Sequence, residues 1–143
     1  MHLGVASMLF RSCAGGVVFH GNSLFLLLNE KNEWVLPKGL IRNGMLAKEV
    51  AVSRVKFEAG IDAEVLCPAG HTSYEFYSFT RQKPVCNEIT WYIMRARSGG
   101  YQVNKAEGFK DGGYFSMEEA NGLITYSQDK SLVRMAYEKY RNL

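Results

Sequence analysis

Three side chains in the first half of the chain are spaced for phosphate chemistry. Lys38 precedes Gly39 in the stretch WVLPKG, Trp34 to Gly39. Arg54 and Glu58 follow in EVAVSRVKFEAGI, Glu49 to Ile61. A flexible lysine ammonium beside a glycine can meet a phosphate, because glycine lets backbone and ligand approach closely. A guanidinium can grip a phosphate through two parallel N–H donors without any ion. Residues four apart on a helix lie about 40° from each other, so Arg54 and Glu58 share one face. Two uses of Arg54 stay open. It pairs with Glu58 as an acid–base couple worth roughly a few tenths of a kcal/mol, or that pair orients it toward a ligand.

The element that carries these residues reads as an amphipathic helix from about Leu46 to Ala59, with Gly60 as its stop. Ala47 and Ala51 fall on the face of Arg54 and Glu58. Phe57 lies about 100° round from Glu58, on a stripe with Leu46 and Val50 that is expected to face the core. Lys48, Glu49, Ser53 and Lys56 form the solvated side. Upstream, AGGVVFHGNSLFLLL reads as strand, turn, strand, with the turn at His20 to Ser23. NEKNEW is a polar connection, and Pro37 argues that WVLPKG is loop rather than central strand. Ala63 to Leu66 reads as a short strand and Ser73 to Phe79 as an aromatic one, which could line a pocket. Arg81 to Asn87 reads as turn or loop. Glu88 to Ala96 is the clearest strand, with Ile89, Trp91 and Ile93 on one face and Thr90, Tyr92 and Met94 on the other. Gly112 to Ser116 is a further strand. Ser116 and Glu119 fit a capping box that opens a short helix, and Ser127 to Tyr140 reads as a last amphipathic helix. This order implies an α+β fold, helices packed on a mixed sheet.

The spacing from Gly39 to Ile61 resembles the Nudix superfamily. The box of that family is G, five residues, E, seven residues, then R-E-(apolar)-x-E-E-x-G-(apolar). Gly39 falls on its first glycine, Val55 on the apolar position, Glu58 on the last glutamate, Gly60 on the second glycine and Ile61 on the final apolar position. WVLPKG resembles the branch that hydrolyses diadenosine and diphosphoinositol polyphosphates. The resemblance implies a single Nudix-like α/β/α sandwich over residues 1–143, its core roughly 13–143. It also implies Mg²⁺ or Mn²⁺ held at Glu58, with Glu58 and the loop residue Glu107 as catalytic carboxylates. Glu107 lies in the glycine-rich stretch KAEGFKDGG. The box positions for the first glutamate, the arginine and the two preceding glutamates hold Met45, Ser53, Arg54 and Phe57.

Bulk properties narrow the field. Hydrophobic residues make up 47% and charged residues 22% of 143, an ordinary globular composition. The net charge of +3, from 17 basic and 14 acidic side chains, permits an anionic small ligand. No basic recognition helix points to DNA. Cys13, Cys67 and Cys86 form no CxxC pair, and their odd number speaks for reduced thiols in a cytoplasm. The apolar run Gly4 to Phe10 lacks a basic start and ends at Arg11, unlike a signal peptide. No apolar run approaches the roughly 20 residues that span a bilayer.

Two functions follow. In the first, the chain hydrolyses pyrophosphate bonds of nucleoside diphosphate-linked compounds, with metal-dependent catalysis weakened or altered. In the second, it is a non-catalytic module that binds a nucleotide or phosphorylated ligand through Lys38, Gly39 and Arg54, as a sensor or partner-binding protein. Oligomeric state leaves no signature.

Overall fold

The computed structural model describes residues 7–143. The start of the apolar run Gly4 to Phe10 lies outside them. Seven strands form one mixed sheet among the described residues: β1 (Leu9–His20), β2 (Ser23–Leu28), β3 (Trp34–Val35), β4 (Lys38–Leu40), β5 (Ala63–Ser78), β6 (Lys83–Ala96) and β7 (Asp111–Ser116). The helices are α1 (Ala47–Ala59), α2 (Met117–Leu123) and α3 (Ser127–Tyr140). The strand order is β3-β2-β1-β6-β5, with β4 on β1 and β7 on β2. β1 and β6 run parallel, while their other partners are antiparallel.

Strand alternation sends side chains to two cores. On one face Val17, Phe19, Leu26, Ile89, Trp91 and Ile93 pack against Ala120 of α2 and Leu132, Val133 and Ala136 of α3. On the other, Ala14, Val18, Phe25, Leu27 and Met94 pack against Val50, Ala51, Val55 and Ala59 of α1. Helices cover both faces, which makes an α/β/α sandwich. The β6 reading holds: its two apolar faces serve the two layers. Trp91 is buried, and its indole N–H donates to Thr72 Oγ1 at 2.7 Å, so the large apolar ring is buried without an orphaned donor.

The helix ends match their sequence signals. Gly60 closes α1 at φ 66°, in the left-handed region. Ser116 and Glu119 form the reciprocal capping box of α2. Four expectations need correction. WVLPKG is not all loop, since Trp34–Val35 pair with β2 and Lys38–Leu40 with β1. Pro37 sits between these two ladders, where its missing N–H removes no bond. Ala63 to Leu66 and Ser73 to Phe79 belong to one strand, β5, whose register shifts at Val65/Cys67 and Pro68/Gly70. Arg81 to Asn87 is mostly strand, because β6 already starts at Lys83 and Pro84 lies beyond the first residue that β1 pairs, Val85. Finally, Phe57 and Leu46 are exposed, at 47% and 64%. The buried line of α1 is Val50, Ala51, Val55, Glu58 and Ala59. The small residues Ala51 and Ala59 let the helix approach the sheet on that side, and Glu58 goes in with them.

Candidate phosphate site

Glu58 is only 4% exposed. Its carboxylate accepts a hydrogen bond from Arg54 Nη2 at 2.5 Å. Burial pushes the Glu58 carboxyl above its ordinary range, while the Arg54 guanidinium and Lys38 pull it back. Arg54 is therefore the counter-charge of a buried acid, which costs far more to leave unpaired than to pair. The guanidinium also lies 4.8 Å over the Phe57 ring. Its Nε is buried and has no hydrogen-bond partner.

Gly39 makes room for this arrangement. A Cβ at Gly39 would stand 2.5 Å from Arg54 Cγ and Nε. Gly39 is thus needed for the path of the arginine side chain. Its place is set by β4, where Gly39 pairs with Ala14.

Glu107 reaches the same region through a moored loop. Gln102 and Asn104 donate their backbone N–H groups to the carbonyls of Ala59 and Glu58, at 2.7 and 2.9 Å. The Asn104 amide also donates to the Phe57 carbonyl and accepts from the Glu107 N–H. The otherwise orphaned carbonyls at the end of α1 thereby anchor the turn Lys105–Glu107. A cleft of about 180 Å³ results, lined among others by Lys38, Glu58 and Glu107.

A second pocket, of about 240 Å³, opens on the other side of the β3–β4 segment. Glu33, Lys38, Tyr74, Trp91, Tyr126 and Asp129 line it. The two pockets share Asn29, Glu30, Val35, Leu36 and Lys38. Lys38 stands at the junction, with its ammonium 5.7 Å from the Tyr74 ring centroid. Tyr126 donates its hydroxyl to Glu33 at 2.5 Å, and the Asn29 amide donates to the other oxygen at 3.0 Å. These bonds lower the Glu33 carboxyl and push Tyr126 up to about 12. Asp129 is 8% exposed, and burial raises it to about 6 against the opposing pull of Lys38.

Lys38, Glu58 and Glu107, all singled out by the sequence, thus meet in one cleft. Arg54 and Gly39 line neither pocket and sit behind Glu58. Trp34 packs edge-on against Phe115 at 5.2 Å, in the core. The pocket residues Glu33, Tyr126 and Asp129 escaped sequence reading. Asp129 looks like an ordinary first-turn acid of α3, and the Tyr126–Glu33 contact joins residues 93 apart.

A family model described as NUDIX domain matches residues 9–135, so the chain belongs to the Nudix family. Over 105 residues it is 29% identical to the putative mutator protein MutT4 of Mycobacterium tuberculosis (strain CDC 1551 / Oshkosh), a match that covers 73% of this chain and 41% of that protein. The match thus spans about two fifths of the length of this curated relative. Among solved structures, the C. elegans Ap4A hydrolase binary complex superposes with a TM-score of 0.71 at 18% identity, over 93% of this chain and 99% of that one. A Nudix hydrolase from Nitrosomonas europaea gives 0.71 at 13% identity, over 96% and 75%. An ADP-ribose pyrophosphatase from Streptococcus suis 89-1591 gives 0.68 at 19% identity, over 92% of each. Likeness at these identities speaks for the fold.

Proposed function

We propose that this chain binds nucleoside diphosphate-linked compounds across the two joined pockets, and that it grips phosphate with side chains in place of a metal ion, which leaves any hydrolysis of the pyrophosphate bond weak. The observation that carries this reading is the buried Arg54–Glu58 pair. Nudix hydrolases use divalent metals such as Mg²⁺ or Mn²⁺, which need several hard oxygen ligands. The donor set does not fit such an ion. Glu58 is the lone box carboxylate, a guanidinium already neutralises it, and no group of three or more His, Cys, Asp or Glu side chains stands close enough to hold a metal among the described residues. A fixed cation beside the carboxylate also repels an incoming one.

The chemistry is then assigned to the chain's own groups. Lys38 receives phosphate oxygens where the pockets join. Arg54 supports the rear of the site by holding Glu58. Tyr74 and Tyr126 flank the outer pocket, where a base or sugar is held. This is compatible with the dinucleoside polyphosphate that the name of the C. elegans relative mentions. The meeting of Glu107 with Lys38 and Glu58 in one cleft favours a residual hydrolase activity, in which Glu107 takes a proton from water and Lys38 stabilises charge on the phosphate. We further assign the chain to the cytoplasm as a single domain with no DNA partner. No helix among the described residues is long and apolar enough to cross a membrane.

The test is calorimetric binding and product analysis with dinucleoside polyphosphates, nucleotide sugars and capped RNA, in chelator and in Mg²⁺ or Mn²⁺. Binding that survives the chelator and weakens at least tenfold in Lys38→Ala is the expected result. Rapid, metal-dependent turnover abolished by Glu58→Gln refutes the metal-free grip.

A further inference from the structure

Tyr74, at the edge of the outer pocket, has an aromatic neighbour outside it. Phe76 follows two residues on, on the same face of β5, and the two rings stack with centroids 6.0 Å apart and planes 27° apart. Each ring carries its own cation. Lys38 Nζ lies 5.7 Å from the Tyr74 centroid, and Arg11 Cζ lies 5.6 Å from that of Phe76. Arg11 does not hang free, since its Nε donates to Asn87 Oδ1 at 2.9 Å. The buried Asn87 in turn donates to the Tyr74 hydroxyl at 2.8 Å. One chain of hydrogen bonds thus ties the cation of one unit, Arg11, to the ring of the other, Tyr74, across β1, β6 and β5.

This ledge is out of keeping with ordinary surface. Phe76 is 38% exposed and stands outside both core clusters. The nearby acids Glu75 and Glu88 face away from it. Register pairs Glu75 with Cys86, and Glu88 with Ser12 and Ser73, on the opposite side of the sheet from Tyr74 and Asn87. The carboxylates on the ledge's own side of the sheet are those of the outer pocket, Glu30, Glu33 and Asp129, which gather around Lys38 and Tyr74; at its far end the ledge presents the Phe76 ring beside the Arg11 charge. Such a surface suits a nucleobase flanked by phosphate, because any base can stack on an aromatic ring while the guanidinium meets the backbone charge.

We propose that Phe76 and Arg11 form a second base subsite. It takes the distal nucleobase of a ligand whose first nucleoside occupies the pocket of Tyr74 and Tyr126, with the linking phosphates passing Lys38 toward Arg11. The inference rests on the pocket assignment made above. Two sources supply this chemistry: a dinucleoside polyphosphate, or the second nucleotide of a 5′-phosphorylated RNA end.

The experiment compares three ligands on the intact chain: a mononucleoside triphosphate, a dinucleoside tetraphosphate and a short 5′-triphosphorylated RNA. Phe76→Leu weakens the preferred two-base ligand by roughly 10- to 100-fold, the range for loss of one stacked base, and leaves the mononucleotide within about twofold. Phe76→Trp restores binding, which a merely structural role for Phe76 would not predict. Arg11→Gln weakens the same ligand and flattens its salt dependence by about one charge. The RNA responding while the tetraphosphate does not, or the reverse, identifies the source. Equal losses for one-base and two-base ligands, or no loss in Phe76→Leu, overturn the second subsite and leave the pocket assignment standing. Absence of mononucleotide binding to the unmodified chain overturns both.

Discussion

Asp129→Asn isolates the electrostatic strain of the outer pocket. The Asp129 carboxyl is raised from the ordinary 3.8 to about 6 by burial, with Lys38 opposing. At about 1.4 kcal/mol per pH unit, that rise corresponds to about 3 kcal/mol. The sign follows from proton binding. The folded chain holds the Asp129 proton more tightly than the unfolded chain does, so between about pH 4 and 6 stability falls as pH rises. Below that window the carboxyl is neutral in both states and the penalty is absent; above it the full penalty applies. Asparagine keeps the shape and removes the charge. At pH 8 Asp129→Asn should therefore gain about 3 kcal/mol, or about 10 °C in melting temperature for a domain of this size. At pH 4 the two proteins should melt within about 2 °C of each other. Thermal melts of both proteins at half-unit steps from pH 4 to 8 give the difference curve, in which contributions common to both cancel. A flat difference curve, or a variant less stable at pH 8, refutes the assignment of a destabilised carboxylate. A gain in stability with a loss of nucleotide affinity ties the strain to ligand recognition.

Three further outcomes are expected. Arg54→Ala leaves Glu58 buried without its counter-charge and lowers stability by about 3 kcal/mol, read by denaturant unfolding at pH 7. Gly39→Ala drives a Cβ into the arginine path and costs about 1–3 kcal/mol; in the Arg54→Ala background the same change costs much less, so a double-mutant cycle should show strong coupling. Arg54→Glu with Phe57→Glu places three carboxylates along one turn of α1, and saturating Mn²⁺ should raise its stability by about 2–3 kcal/mol while leaving the parent chain unmoved.

The frame of the site was legible because it depends on local chemistry. Gly60 ends α1 through its own backbone freedom, and Ser116 with Glu119 caps α2 within one turn. The alternation of β6 foretold both core layers. The burial side of α1 was not legible, and the reason is physical. Leu46, Val50, Val52, Val55 and Phe57 are spread around the helix, so apolar content does not single out a face. Close approach to the sheet through Ala51 and Ala59 decides it, and small residues carry little hydropathy signal. The outer pocket was legible only in part. The aromatic strand that carries Tyr74 reads as pocket lining, but Tyr126, which precedes α3, and Asp129 on α3 reach Lys38 only through the tertiary fold. Proline was over-read as a breaker: Pro37 sits between two ladders, and Pro84 sits at the second residue of β6, opposite Tyr77 of β5 and before the stretch that β1 pairs.

Charge balance explains how the box frame holds with one carboxylate. A buried Glu58 demands a positive partner, whether a metal ion or a guanidinium. Arg54 meets that demand from one turn away, but its side chain passes through space that only a glycine at position 39 leaves open. Gly39, Arg54 and Glu58 therefore act as one unit, and none is informative alone. With Glu58 neutralised from behind, Lys38 faces the two pockets with its attraction for anions less offset by that acid. Glu33, drawn into bonds with Tyr126 and Asn29, also has less accepting capacity left to compete for it. On the proposed reading, the site holds its cation ready for phosphate while its box carboxylate is occupied by Arg54.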